Sequence, residues 1–146
     1  MDKTEVSVFE TTLQKIHDWL RDLMRMCDWD SQQQAYLALE AVLQSLRDRL
    51  PVAVTAKLGA QLPMLIRGMY YEGWVPSHTP IKIKSQQGFF SLVSSHLGSE
   101  PWLFNEIRDV VRNVFHMITL RLSSREIEHL KKVPPLPIAS LWDNRK

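Results

Sequence analysis

From Ser7 onward, Phe9, Leu13, Ile16, Leu20, Leu23 and Cys27 recur at alternating steps of four and three. This spacing draws one apolar stripe down a helix of about five turns. Ser7 and Glu10 have the Ser-x-x-Glu spacing of a capping box, in which the hydroxyl accepts a first-turn amide and the carboxylate returns to the cap's own amide. Asp28-Trp29-Asp30-Ser31 breaks the stripe and offers new caps. A second stripe then runs through Ala35, Ala38, Leu39, Val42, Leu46 and Leu50. Pro51 and Pro63 suit first helical positions, where a missing amide hydrogen costs nothing. Two short helices are therefore expected, one running toward Leu58 and one over Met64 to Glu72, the latter closed by Gly73 as a left-handed stop.

Residues 73–85 carry two prolines and no helical period, so they read as an extended connector pinned at Trp74. Ile81-Lys82-Ile83-Lys84 alternates like a strand, but a single such segment has nothing to pair with, and no sheet is expected. The pattern then repeats. Phe89, Phe90, Val93 and Leu97 predict a helix stopped by Gly98, and Pro101 opens a long helix through Ile107, Val110, Val114 and Ile118 to Leu122. Ser123 and Glu126 form another capping box. A shift of 72 residues lays Ala35, Ala38, Val42 and Leu46 on Ile107, Val110, Val114 and Ile118, Leu58 on Leu130, and Pro63 on Pro135. The first helices of the two halves need a shift nearer 70. The expectation is one all-α domain over 1–146, a compact bundle of two pseudo-repeated helical units at about 7–73 and 86–142 joined by the 73–85 connector. The closing helices match least well, because Val133-Pro134-Pro135 stands where the first half has Gln61-Leu62-Pro63. Pro134-Pro135-Leu136-Pro137 reads either as a cap over the core or as an extended, ligand-like tail.

Composition agrees with a packed helical domain. Hydrophobic residues make up 45% of the 146 and charged residues 23%, and Gly numbers only 5. The net charge of +2 is spread among alternating signs, as in Arg47-Asp48-Arg49, rather than gathered into a basic stripe. That weighs against nucleic acid, for which only Lys82, Lys84, Lys131 and Lys132 speak. One cysteine excludes an internal disulfide framework and suits a reducing compartment, and no apolar run is long enough to span a bilayer. A cytoplasmic protein with no membrane segment is expected.

Several spaced signatures carry a family resemblance: Leu39-Glu40-Ala41-Val42-Leu43, Arg47-Asp48-Arg49-Leu50-Pro51, Ala60-Gln61-Leu62-Pro63 and Tyr70-Tyr71-Glu72-Gly73-Trp74, in that order. In these the chain resembles the bacterial family known as domain of unknown function 2267, and the likeness continues more weakly to about Leu130. The resemblance implies an all-helical fold and a bacterial origin. It implies no activity and carries over no site residue.

No metal-ligand spacing joins His17, His78, His96, His116 and His129, and no cofactor is expected. Each histidine reads as a surface or boundary residue with one hydrogen-bond partner. Cys27, on the first stripe, reads as a buried thiol. Phosphate loop, nucleophile elbow and Ser-x-x-Lys box are all missing, which weighs against an enzyme. Glu40 and Glu72 could face each other in a bundle, as in di-iron proteins, but the Glu-x-x-His that such a centre needs is missing. Arg47, Arg49 and Arg121 end the two long helices, where cations suit the helix dipole. As an anion notch they would have to converge with Lys57 or Arg67. The most suggestive group is Tyr70, Tyr71 and Trp74 with Phe89, either a set of partner- or ligand-binding anchors or packing over the joint between the units. Two functional readings follow: a non-enzymatic module that binds a protein partner or forms a homo-oligomer, and a small enzyme or apolar-ligand carrier with a pocket at the inter-unit seam.

Overall fold

The computed structural model describes residues 7–98 and 104–142, without the side chains of Phe104 and Asn105. The described residues are all-helical and contain no strand. The helices are α1 (Ser7–Cys27), α2 (Gln32–Arg49), α3 (Val52–Ala60), α4 (Met64–Tyr71), α5 (Gln86–Leu97), α6 (Phe104–Arg121), α7 (Ser124–Lys131) and α8 (Leu136–Ala139), with 3-10 turns at Pro76–His78 and Ser140–Trp142.

Local chemistry sets most of these boundaries. The Ser31 hydroxyl accepts the Gln34 amide at 3.1 Å to start α2, Ser85 accepts that of Gly88 at 2.9 Å to start α5, and Ser123 accepts that of Glu126 at 3.2 Å to start α7. Pro51, Pro63 and Pro135 occupy the capping position rather than the first helical one, because their ψ angles of 154°, 156° and 151° are extended. α3 thus begins one residue after Pro51, and α4 begins at Met64 as expected. Gly73 and Gly98 end their segments at φ 77° and 72°, and Asp28 does the same for α1 at φ 57°. The expected Ser7 capping box is not seen: Ser7 already lies inside α1, and the residues before it lie outside the described ones. The Pro101 helix start also lies outside them.

The long helices α2 and α6 form the centre. α2 packs against α1, α4, α5 and α6, while α6 packs against α1, α2, α5 and the Ser140–Trp142 turn. A shift of 72 residues carries Gln32–Arg49 onto Phe104–Arg121 end to end, and puts Pro63 before α4 on Pro135 before α8. Ala35, Ala38, Val42, Leu46 and Leu58 are buried, and so are Ile107, Val110, Val114, Ile118 and Leu130 at the shifted positions. Inter-helix packing follows the same correspondence, with α1 against α6 and α5 against α2. One continuous cluster of buried side chains runs from Trp19 to Trp142.

The first stripe behaves differently from its reading. Leu20 and Leu23 are buried and Ile16 packs partly against the core, but Phe9 is 59% exposed and Leu13 52%. Periodicity identifies the apolar face of a helix, and here only the second half of α1 has something to cover it. Cys27 is half-buried rather than enclosed. The proline-rich tail caps the core: Ile138, Leu141 and Trp142 are buried, and the Gln86 amide donates to the Pro137 carbonyl at 2.8 Å. The 73–85 connector is extended at Val75 and Thr79 on either side of its 3-10 turn, and is strapped to the end of α2. The Ile81 amide donates to the Asp48 carbonyl at 2.8 Å, and the Arg49 guanidinium donates to the Ile83 carbonyl at 2.5 Å.

Candidate functional site

Three features carry chemistry beyond plain packing: a polar latch between α2 and α4, a pocket between α3 and α7, and an exposed apolar face on α1 and α4. The latch answers a general need, since the last carbonyls of any helix lack intrahelical partners. Gln44 and Arg47 stand one turn apart on α2 and together serve the open end of α4. The Gln44 amide donates to the Met69 carbonyl at 2.8 Å, and the Arg47 guanidinium donates to the carbonyls of Tyr70 at 3.0 Å and Glu72 at 2.7 Å. Arg47, 2% exposed, also meets the Asp48 carboxylate at 2.8 Å, and His96 of α5 lies 3.0 Å from that carboxylate's other oxygen. Burial pushes the Asp48 carboxyl up, but the bonds to His96 and Arg47 outweigh it and hold the group below its ordinary range. The Tyr70 hydroxyl donates to the Thr55 carbonyl at 2.9 Å, and burial drives that phenol far above its ordinary range.

The sequence-nominated aromatics divide between two places. Tyr70 and Tyr71 have ring centroids 5.0 Å apart, and Tyr71 and Trp74 5.2 Å apart, so these three form one ladder off the end of α4. Phe89 joins another group: its ring lies 6.0 Å from Phe115, which stacks on Trp142 at 3.8 Å. Tyr70 and Phe89 are completely buried, whereas Tyr71 and Trp74 are half-buried. The arginines do not gather into a notch. Arg67 donates to the carbonyls of Gly59 at 2.9 Å and Leu62 at 2.8 Å, and Arg121 pairs with Asp22 while lying over the Trp19 ring. Their work is to satisfy helix ends and carboxylates.

Glu72 does act on Glu40. Burial, then the negative charge of Glu72, raise the Glu40 carboxyl above its ordinary range, with His96 and the Tyr36 hydroxyl opposing. No group of three or more His, Cys, Asp or Glu side chains among the described residues is placed to hold a metal ion. His17 lies beside the Gln32 amide at 3.0 Å, as His96 does beside Asp48.

Sequence reasoning missed an apolar pocket. It has a volume of about 140 Å³ and lies between α3 and α7, with Leu58 and Leu130 inside and Lys57 and His129 at its rim. None of Tyr70, Tyr71, Trp74 and Phe89 lines it. The shift that places Leu58 on Leu130 was a usable signal, since it marked a pair of related faces, but a one-dimensional pattern does not say that two such faces meet. The exposed apolar face was also missed. Val8 and Met64 line one cleft between α1 and α4 with Thr12, Lys15 and Arg67, and Phe9 and Leu13 on α1 and Leu65 on α4 are exposed as well.

The fold and these features define a small, closely packed all-helical domain. The family model described as an uncharacterized conserved protein, DUF2267, matches residues 16–144, most of the chain, and the protein belongs to that family. No curated protein matches it. No helix among the described residues is long and apolar enough to cross a membrane.

Proposed function

We propose that this protein is a non-enzymatic interaction module that pairs with a second copy of itself through the apolar face of α1 and α4. The observation that carries the reading is the unburied half of the first stripe. Phe9 at 59% and Leu13 at 52% exposure continue the row that Leu20 and Leu23 bury, and Met64, 59% exposed, lies on α4, which packs against α1. Large apolar side chains left exposed along one helix stripe, next to a cleft lined by Val8, Met64, Lys15 and Arg67, suit an association surface. The latch residues support the non-enzymatic part, because Arg47, Asp48, Tyr70 and His96 are already engaged with one another or with backbone carbonyls.

Duplication is part of the same reading. Its supports are the end-to-end correspondence of α2 with α6, the shared prolines before α4 and α8, and the matching burial of both sets of stripe residues. So is a cytoplasmic, bacterial setting, for which the lone cysteine and the family signatures speak. Light scattering over a wide concentration range tests the association. The expected result is a concentration-dependent dimer that Phe9→Ser with Leu13→Ser converts to a monomer of unchanged helicity. A strict monomer at every concentration would overturn the proposal.

A further inference from the structure

We infer that the pocket between α3 and α7 is a binding site for a small carboxylate with an apolar body of about six carbons. The inference is independent of self-association, which uses a different face. Both halves of the chain build the walls. Val54, Lys57, Leu58 and Gln61 line it from the α3 side, and residues 126, 129, 130 and 133 stand at those positions shifted by 72 on the α7 side. The pocket therefore exists only where the two halves are packed together.

Its size selects the ligand. About 140 Å³ is far below the several hundred of a drug-sized site, and close to the roughly 150 Å³ apolar cavity that accepts benzene in an engineered protein. A single ring or a short chain fills it. Leu58 and Leu130 are buried within the wall, while Leu122 and Val133 are only partly covered, so an apolar body entering there displaces water from aliphatic side chains.

The rim selects the charge. Lys57 on α3 and His129 on α7 occupy corresponding positions, and Glu126 and Gln61 complete the polar edge. No ion pair engages Lys57 among the described residues, so its ammonium is available to an incoming anion. Glu126, in the first turn of α7, puts a negative charge on the same edge, so the attraction for an anion rests on Lys57. A carboxylate at the mouth thus meets one unpaired cation and the imidazole of His129.

Three ligands of one length separate the contributions: hexanoate, hexan-1-ol and hexylamine, titrated while the methyl signals of Leu58, Leu122, Leu130 and Val133 are followed by NMR. Hexanoate is expected to bind tightest and hexylamine weakest, with the shifts confined to those methyls. Lys57→Met should weaken hexanoate by up to about five-fold, the scale of an exposed ion pair, and leave hexan-1-ol unchanged. Val133→Phe, at a partly exposed position, should fill the pocket and abolish binding of all three with the fold intact; Leu122→Phe repeats the test from the other wall. Hexanoate that moves none of the four methyls, hexylamine binding tightest, or Lys57→Met binding hexanoate unchanged would each overturn the assignment.

Discussion

Replacing Arg47 by Met keeps the length of the side chain and removes its fork of donors. The carbonyls of Tyr70 and Glu72 lose partners at 3.0 and 2.7 Å, and Asp48 loses its cation at 2.8 Å. A hydrogen bond from a charged donor is worth about 1.5–3 kcal/mol, and leaving a buried acceptor unmade costs on a similar scale. Two such bonds come to roughly 3–6 kcal/mol, against which burying the methionine side chain returns about 1.5–3 kcal/mol. The difference is about 1.5–3 kcal/mol, and allowing some recovery by water at the half-open Glu72 end, the net loss is about 2 kcal/mol. For a chain of 146 residues this corresponds to a fall in Tm of about 6 °C. Urea unfolding followed by circular dichroism measures the first quantity and a thermal scan the second. Arg47→Lys retains a charge for Asp48 but cannot span both carbonyls, so it should lose about half as much. An Arg47→Met protein within about 0.5 kcal/mol of wild type would refute the latch, and an Arg47→Lys protein as unstable as Arg47→Met would show that the charge beside Asp48 contributes nothing.

Two further outcomes are expected. Glu40→Gln should stabilise the protein by a few tenths of a kcal/mol at neutral pH, because a carboxyl raised in the fold costs stability once it ionises; the gain should vanish as pH falls through the raised value, as pH-dependent urea titrations would show. A Cβ at Gly59 would run into the Tyr71 ring, whereas nothing lies within 4 Å of one at Gly68, so Gly59→Ala should cost about 1–3 kcal/mol and Gly68→Ala should gain about 0.5–1 kcal/mol in the same unfolding assay.

Periodicity, proline placement and serine caps made the helices readable before any coordinates, since each acts within one or two turns of chain. What lay beyond them was the choice of partner. Arg47 sits in the last turn of α2, and its expected service was to its own helix's carbonyls. Side chains on a helix lean toward its N-terminus, away from those carbonyls, and Arg47 reaches the end of α4 instead. Phe9 and Leu13 share a stripe with Leu20 and Leu23 but not their cover. Tyr70, Tyr71 and Trp74 were legible as a group because they are neighbours in sequence; Phe89 went to Phe115 and Trp142, a long-range association that no local signal announces.

Tyr70 and Trp142, related by the 72-residue shift, close their halves by unlike means. Tyr70 is fixed by its hydroxyl on Thr55 and by Arg47 on its carbonyl, contacts that demand direction as well as distance. Trp142 lies flat on Phe115, and its buried indole N–H finds no acceptor among the described residues. Stacked rings can slide and still hold, so position 142 should accept other aromatic residues where position 70 accepts only tyrosine. An engineer seeking to vary this scaffold would leave the first closure alone and rebuild the second.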